Sequence, residues 1–133
     1  MTLRRLNPEG VHETPGYSHV TVVESGRLAF LAGQCPLDAS GDLVGADDVL
    51  AQTDQVVANA LAVLAAVDAE PGDVVRSVIY VVSDDNAVLA AVWRRLQDSE
   101  LGPAFTSAST LLGVAQLGFT GQLVELDLTA ALS

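Results

Sequence analysis

The stretch Val74 to Val82 carries apolar residues on both of the faces that an extended strand presents. Such a segment belongs at the centre of a sheet, with something packed over each side. The rest of the chain offers helices for one side only. Asp47 or Asp48 caps a helix that runs from about Val49 to Val67. Along it Val49, Thr53, Val56, Ala60, Leu64 and Val67 recur at steps of three and four, the spacing of one buried stripe. Pro71-Gly72 closes that unit. Asp84-Asp85 caps a second helix, Asn86 to Gln97, with Val88, Val92 and Leu96 inward, and Leu101-Gly102-Pro103 ends it. Two helices cover one face of a sheet. The other face needs a cover that this chain does not contain, so other copies of the chain are expected to supply it.

The remaining elements are strands. Ser18 to Val23 and Arg27 to Gly33 flank the turn Glu24-Ser25-Gly26 and read as a hairpin. Thr110 to Leu117 and Leu123 to Ala131 are joined by the turn Gly118 to Gln122. Residues 1–15, with Pro8, Gly10 and Pro15, read as a loose N-terminal segment. No repeat or linker divides the chain, so residues 1–133 form one domain. The order ββαβαββ implies a two-layer α+β fold with both helices on one face of the sheet.

Charge and composition exclude several functions. Six arginines, no lysine and 17 acidic residues give a net charge of −11. That field repels nucleic acid, and no basic patch offsets it. Half the residues are hydrophobic, yet no apolar run reaches the ~18 residues of a membrane span. The N-terminus has no signal-peptide pattern, and a single cysteine forms no internal disulfide, so the cytoplasm is the expected compartment. His12, His19 and Cys35 are too few for a common structural zinc site. Phosphate-binding loops, the dinucleotide fingerprint and the G-x-S-x-G elbow are all missing. Neither a metal nor a cofactor is expected. Ser18 and His19 are adjacent strand residues and point to opposite faces, which argues against a nucleophile–base pair. Cys35 reads as a small buried hydrophobe and Trp93 as packing.

Glu125 stands apart. It lies mid-strand between Val124 and Leu126, on the sheet face assigned to contacts between subunits. A carboxylate there must be paired, solvated in a pocket, or used. It either pairs across strands with Arg76, which has suitable parity, or sits in an intersubunit pocket where it positions water or takes a proton.

Taken together, the chain from Gly16 to Ala131 resembles the Rid proteins (RidA/YjgF; imine deaminases, also described as L-PSP endoribonucleases or translation initiation inhibitors). The resemblance rests on Gly16-Tyr17-Ser18, on Ala32-Gly33-Gln34-Cys35-Pro36-Leu37-Asp38, and on Gln52-Thr53, Gln55-Val56-Val57 and Asn59. Asp73-Val74-Val75-Arg76 and Leu123-Val124-Glu125-Leu126-Asp127 complete it, in the same order and spacing. It implies a chorismate-mutase-like fold, a homotrimer, and a small-molecule cleft between subunits. In active members an imine or enamine is hydrolysed there without a cofactor. By this resemblance Tyr17 and Glu125 take the catalytic positions, while Gly33, Gln34 and Ser109 fall at ligand-binding positions. The family's carboxylate-clamping arginine is missing: Ser109 stands in its place, or Phe105 in an alternative register. Neither side chain makes a bidentate, charge-assisted clamp. The second helix also lacks the aromatic usual near Asn86. The resemblance therefore implies imine or enamine hydrolysis on a substrate not held by the usual clamp, or alternatively a non-catalytic trimer that binds a metabolite.

Overall fold

The computed structural model describes residues 3–133. Along the chain run β1 (Leu3–Leu6), β2 (Val20–Val23), β3 (Arg27–Phe30), α1 (Val49–Ala66), β4 (Val74–Val82), α2 (Asn86–Gln97), β5 (Ala108–Val114) and β6 (Val124–Leu132). Four strands form one sheet in the order β3-β6-β4-β5, so the doubly apolar strand β4 is central. β4 and β5 are parallel, and α2 makes the crossover that a parallel pair requires. β6 runs antiparallel to both β4 and β3.

Alternation decides which side chains meet the helices. Ser77, Ile79 and Val81 of β4 stand beside Leu128, Leu126 and Val124 of β6, and all six are buried. Val56, Ala60 and Leu64 of α1 and Val92, Trp93 and Leu96 of α2 close over them. The Asp48 side chain accepts from Ala51 N–H and starts α1; Asp85 accepts from Ala87 N–H and starts α2. The two-layer α+β architecture with both helices on one face is therefore as expected. α1 has the length and apolar composition of a membrane span, but its stripe is part of this core and its other positions include Asp54, Gln55 and Asn59.

Three local expectations are corrected. Residues 1–15 are not uniformly loose, because Leu3–Leu6 forms β1 and pairs with β2 from Leu3–Val23 to Leu6–Val20. Arg5 fastens it by donating to Ser107 Oγ (3.0 Å) and the Gly72 carbonyl (2.9 Å). A short exposed strand buries almost nothing, so no hydrophobic period announces it. The hairpin is also absent: β2 pairs with β1 in a separate two-stranded sheet, while β3 pairs with β6. Alternation marks a segment as strand without naming its partner. Finally, β5 starts at Ala108 and stops at Val114, where Thr110 to Leu117 is expected.

The face away from the helices stays open. Arg76, Val78, Tyr80 and Val82 lie on it, with Leu112 and Val114 of β5 alongside. At its edge Leu28 is 46% exposed and Phe30 77% exposed.

One buried polar side chain couples α1 to this sheet. Gln52 is fully buried and donates to the carbonyls of Gly45 (3.1 Å) and Gly121 (3.0 Å), while its own carbonyl accepts from Leu123 N–H (2.7 Å). It thus fixes both the loop before α1 and the turn that aims β6. Gln52→Leu should leave these three backbone groups without their partner and destabilise the fold by about 3 kcal/mol. A denaturant titration of both proteins checks this.

Candidate functional site

Glu125 projects from β6 on the open face, opposite Tyr80. Arg76 stands opposite Thr129 instead, and its guanidinium donates to Thr110 Oγ1 at 2.8 Å. The pairing of Glu125 with Arg76 is therefore not made. Parity puts both on one face, but register separates them by four residues along the strand, and alternation carries no register.

The carboxylate has other neighbours. Oε1 accepts from the Cys35 thiol at 3.2 Å and from Gln122 Nε2 at 3.1 Å. Neither donor contacts Oε2, which lies over Gly33. A Cβ at residue 33 would stand 2.8 Å from Glu125 Cδ, so glycine lets the carboxylate lie this close to the chain, and a larger residue would push it aside. A bulge produces the approach. Leu31 N–H donates to Leu128 O, while Gln34 exchanges two hydrogen bonds with Leu126, so three steps on one strand answer two on the other. Among the described residues, the N–H groups of Ala32 and Gly33 find no acceptor, and both residues are exposed. Asn59 of α1 anchors the following loop by donating to the carbonyls of Cys35 and Leu37, each at 2.9 Å. Gln34 turns its amide back to Ala32 O at 2.9 Å.

Cys35 is half-buried and donates to a carboxylate, so it is more than the small hydrophobe expected. Burial pushes its pKa up to about 11, with the Glu125 hydrogen bond and charge adding to the rise and the Gln122 hydrogen bond opposing it. The thiol stays protonated near neutral pH and is a hydrogen-bond donor, not a nucleophile.

A second cluster lies across the sheet. A cavity of about 580 Å³ opens between α2, β5 and the loop before β2, lined by Tyr17, Leu89, Trp93, Arg94, Ser109 and Leu111 among others. That volume suits a small molecule. Trp93 packs in the core and also lines this cavity. Tyr17 is held in place by its loop. Its hydroxyl lies 2.8 Å from His12 Nε2, and its carbonyl accepts from Thr14 Oγ1 at 2.5 Å. His19 Nε2 donates to His12 O at 2.8 Å. Pro15 O accepts from Trp93 Nε1 (3.3 Å) and Gln97 Nε2 (2.8 Å), which ties the loop to α2. Ser109 faces the helices: it donates to Ser107 O (2.9 Å) and accepts from Ser77 Oγ (2.6 Å). Phe105 is buried against Trp93, with ring centroids 5.8 Å apart, and does not line this cavity.

The structure thus gathers the five expected residues into two groups. Gly33, Gln34 and Glu125 share one place; Tyr17 and Ser109 share another on the opposite side of the sheet. Within one chain the two groups do not meet. Sequence reasoning missed Gln122 and Cys35 as partners of Glu125, and His12 as the partner of Tyr17. These contacts depend on turn and loop geometry that no periodicity encodes.

The thiol reports on the carboxylate. Glu125→Gln removes the charge that helps to raise the Cys35 pKa and leaves only a neutral acceptor in its place, so the midpoint of the pH–alkylation profile with iodoacetamide should fall from about 11. Alkylation at neutral pH should then be faster. Gly33→Ala should act in the same direction by pushing the carboxylate aside.

Comparison with known proteins gives consistent relatives. The family model described as endoribonuclease L-PSP matches residues 11–132. Protein DfrA of Myxococcus xanthus is 31% identical over 137 residues, covering 96% of this chain and 98% of that protein. Among solved structures, the conserved Rid protein YyfB of Yersinia pestis is 39% identical with a TM-score of 0.88, covering 99% of this chain and 100% of that one. Rv2704 of Mycobacterium tuberculosis, of the YjgF/YER057c/UK114 family, is 25% identical with a TM-score of 0.63, covering 98% and 100%.

Proposed function

Since the chain belongs to the Rid family, whose model is described as endoribonuclease L-PSP, and has that family's chorismate-mutase-like α+β fold, we propose that it acts as a cytoplasmic homotrimer that hydrolyses an imine or enamine in clefts between subunits. The observation that carries this reading is the division of the site. Tyr17 lines a cavity on one side of the sheet, and Glu125, Gly33 and Gln34 stand on the other, beside an open face that carries Val78, Tyr80, Val82, Leu112 and Val114 along with Arg76 and Asp127. For the two groups to share a cleft, the β5 edge and the Tyr17 loop of one subunit reach over the open face of the next, which brings one subunit's Tyr17 group to another's Glu125 group. Leu28 and Phe30 are then covered as well.

The chemistry requires no cofactor. Water adds to the imine carbon, its proton passes through a base to nitrogen, and the carbinolamine collapses to a carbonyl and ammonia. Glu125 Oε2, which neither Cys35 nor Gln122 contacts, is the base that takes the water proton and returns it to the leaving nitrogen. The Ala32 and Gly33 N–H groups are donors to the polar group forming beside it. Tyr17 closes the cleft. Gly33 and Gln34 shape its wall, and Ser109, held by Ser77 and Ser107, lines the cavity where the resemblance puts the arginine clamp. The net charge of −11 disfavours RNA as a substrate.

Light scattering at micromolar concentration should give about three times 13.8 kDa. Phe30→Glu should break the assembly by placing a charge in its apolar contact. A monomeric wild type would overturn the trimer and the shared cleft together.

Ammonia release from a panel of imines tests the reaction. Glu125→Gln should lower turnover about 10²–10⁴-fold while the melting temperature moves little. Metabolite-dependent stabilisation without ammonia release from any imine would assign the cleft to binding alone. Cleavage of RNA by the purified protein would contradict the proposal.

A further inference from the structure

Arg94 is the one arginine of six whose side chain has no hydrogen-bond or ion-pair partner among the described residues. Arg4 and Arg95 hold Glu24 and Asp54. Arg5, Arg27 and Arg76 donate to Ser107, to the Ser133 carbonyl and to Thr110. Asp98 follows Arg94 by one helical turn, at a spacing that permits a pair, yet no ion pair forms between them. Arg94 also lines the 580 Å³ cavity. Asn86, Leu89, Ala90, Trp93, Arg94 and Gln97 recur at alternating steps of three and one along α2, which makes one face of the helix the cavity wall.

Apart from the Asn86 amide at its rim, the rest of that wall is apolar or already engaged. Leu89, Ala90, Trp93 and Leu111 offer carbon surface. Gln97 is committed to Pro15 O, and Ser109 to Ser77 and Ser107. The cavity therefore combines an aromatic and aliphatic lining with one uncommitted cation. A guanidinium at the border of an apolar pocket recognises a planar anion, and a carboxylate fits it in two-pronged fashion.

We propose that this cavity binds a small aromatic or branched-chain carboxylate, with its carbon skeleton against Trp93, Tyr17, Leu89 and Leu111 and its anionic group on Arg94. Arg94 is then the residue that sets specificity for anions, acting from α2 rather than from β5. This refines the cleft reading by naming a ligand class, but binding of this kind requires no turnover.

Trp93 is the only tryptophan in the chain and lines the cavity, so its fluorescence reports occupancy directly. The probes are 3-phenylpropanoate and its amide, which differ in charge and hardly in shape. The full-length wild type should bind the acid at least about tenfold more tightly than the amide. Arg94→Gln should remove that preference, and Arg94→Lys should keep part of it. Arg95→Gln, outside the cavity wall and paired with Asp54, should leave it unchanged. Circular dichroism on each variant confirms folding. Equal binding of acid and amide, no binding of either, or a preference that survives Arg94→Gln would overturn the proposal. Acid preference without ammonia release from any imine would uphold it while removing the catalytic reading. Ammonia release with no acid preference would do the reverse.

Discussion

β4 is apolar on both sides, and one chain supplies helices for one side only. Much of the architecture follows from that shortage. The helix-facing side is completed by α1 and α2 and holds every fully buried large aliphatic of β4 and β6. The far side keeps Val78, Tyr80, Val82, Leu112 and Val114, with Phe30 and Leu28 at its edge. Covering such a face releases on the order of 25 cal/mol for each Å² of apolar surface removed from water. That gain also bears on where polar chemistry can sit, because a carboxylate covered there is costly unless it has donors of its own.

Glu125 has them. Cys35 and Gln122 both direct hydrogens at Oε1, and the glycine at 33 gives the second oxygen room. The arrangement depends on a bulge opposite β6 and on Asn59 pinning the loop that carries Cys35. It depends equally on Gln52, whose buried amide grips the turn leading into β6. Core and site are therefore not separable here: polar residues of α1 that face inward set the geometry of a carboxylate on the far side of the sheet. In return the carboxylate acts on its neighbour, helping to hold the Cys35 thiol in its protonated form.

The sequence made some of this legible and hid the rest for identifiable reasons. Both helices, the central strand and the core face of β6 could be read because burial imposes a period on side-chain type. β1 could not, since its residues are mostly exposed and its pairing is tertiary. The side of the sheet that Glu125 occupies followed from alternation, but its partners did not. Arg76 had the right parity and the wrong register, while Gln122 reaches the carboxylate from a turn. Tyr17 was legible only through resemblance. Nothing in the spacing of His12 and Tyr17 implies that the two side chains meet.

The serine at 109, which the resemblance puts at the family's arginine position in one of two registers, has a physical counterpart in the wall it helps to build. A guanidinium placed there without an anion would lie beside Trp93 and the half-buried Ser77–Ser109 contact, where an unpaired charge is costly. The two hydroxyls satisfy one another and the Ser107 carbonyl instead, so the empty cavity carries no such cost. Arg94 stands on an exposed helix position, where water solvates the charge until an anion arrives. Moving the cation from the strand to the helix rim exchanges a preorganised clamp for one that is stable unoccupied. Selectivity in such a site comes from the match between a carbon skeleton and the Trp93–Leu111 wall, with the charge acting as a filter at its edge.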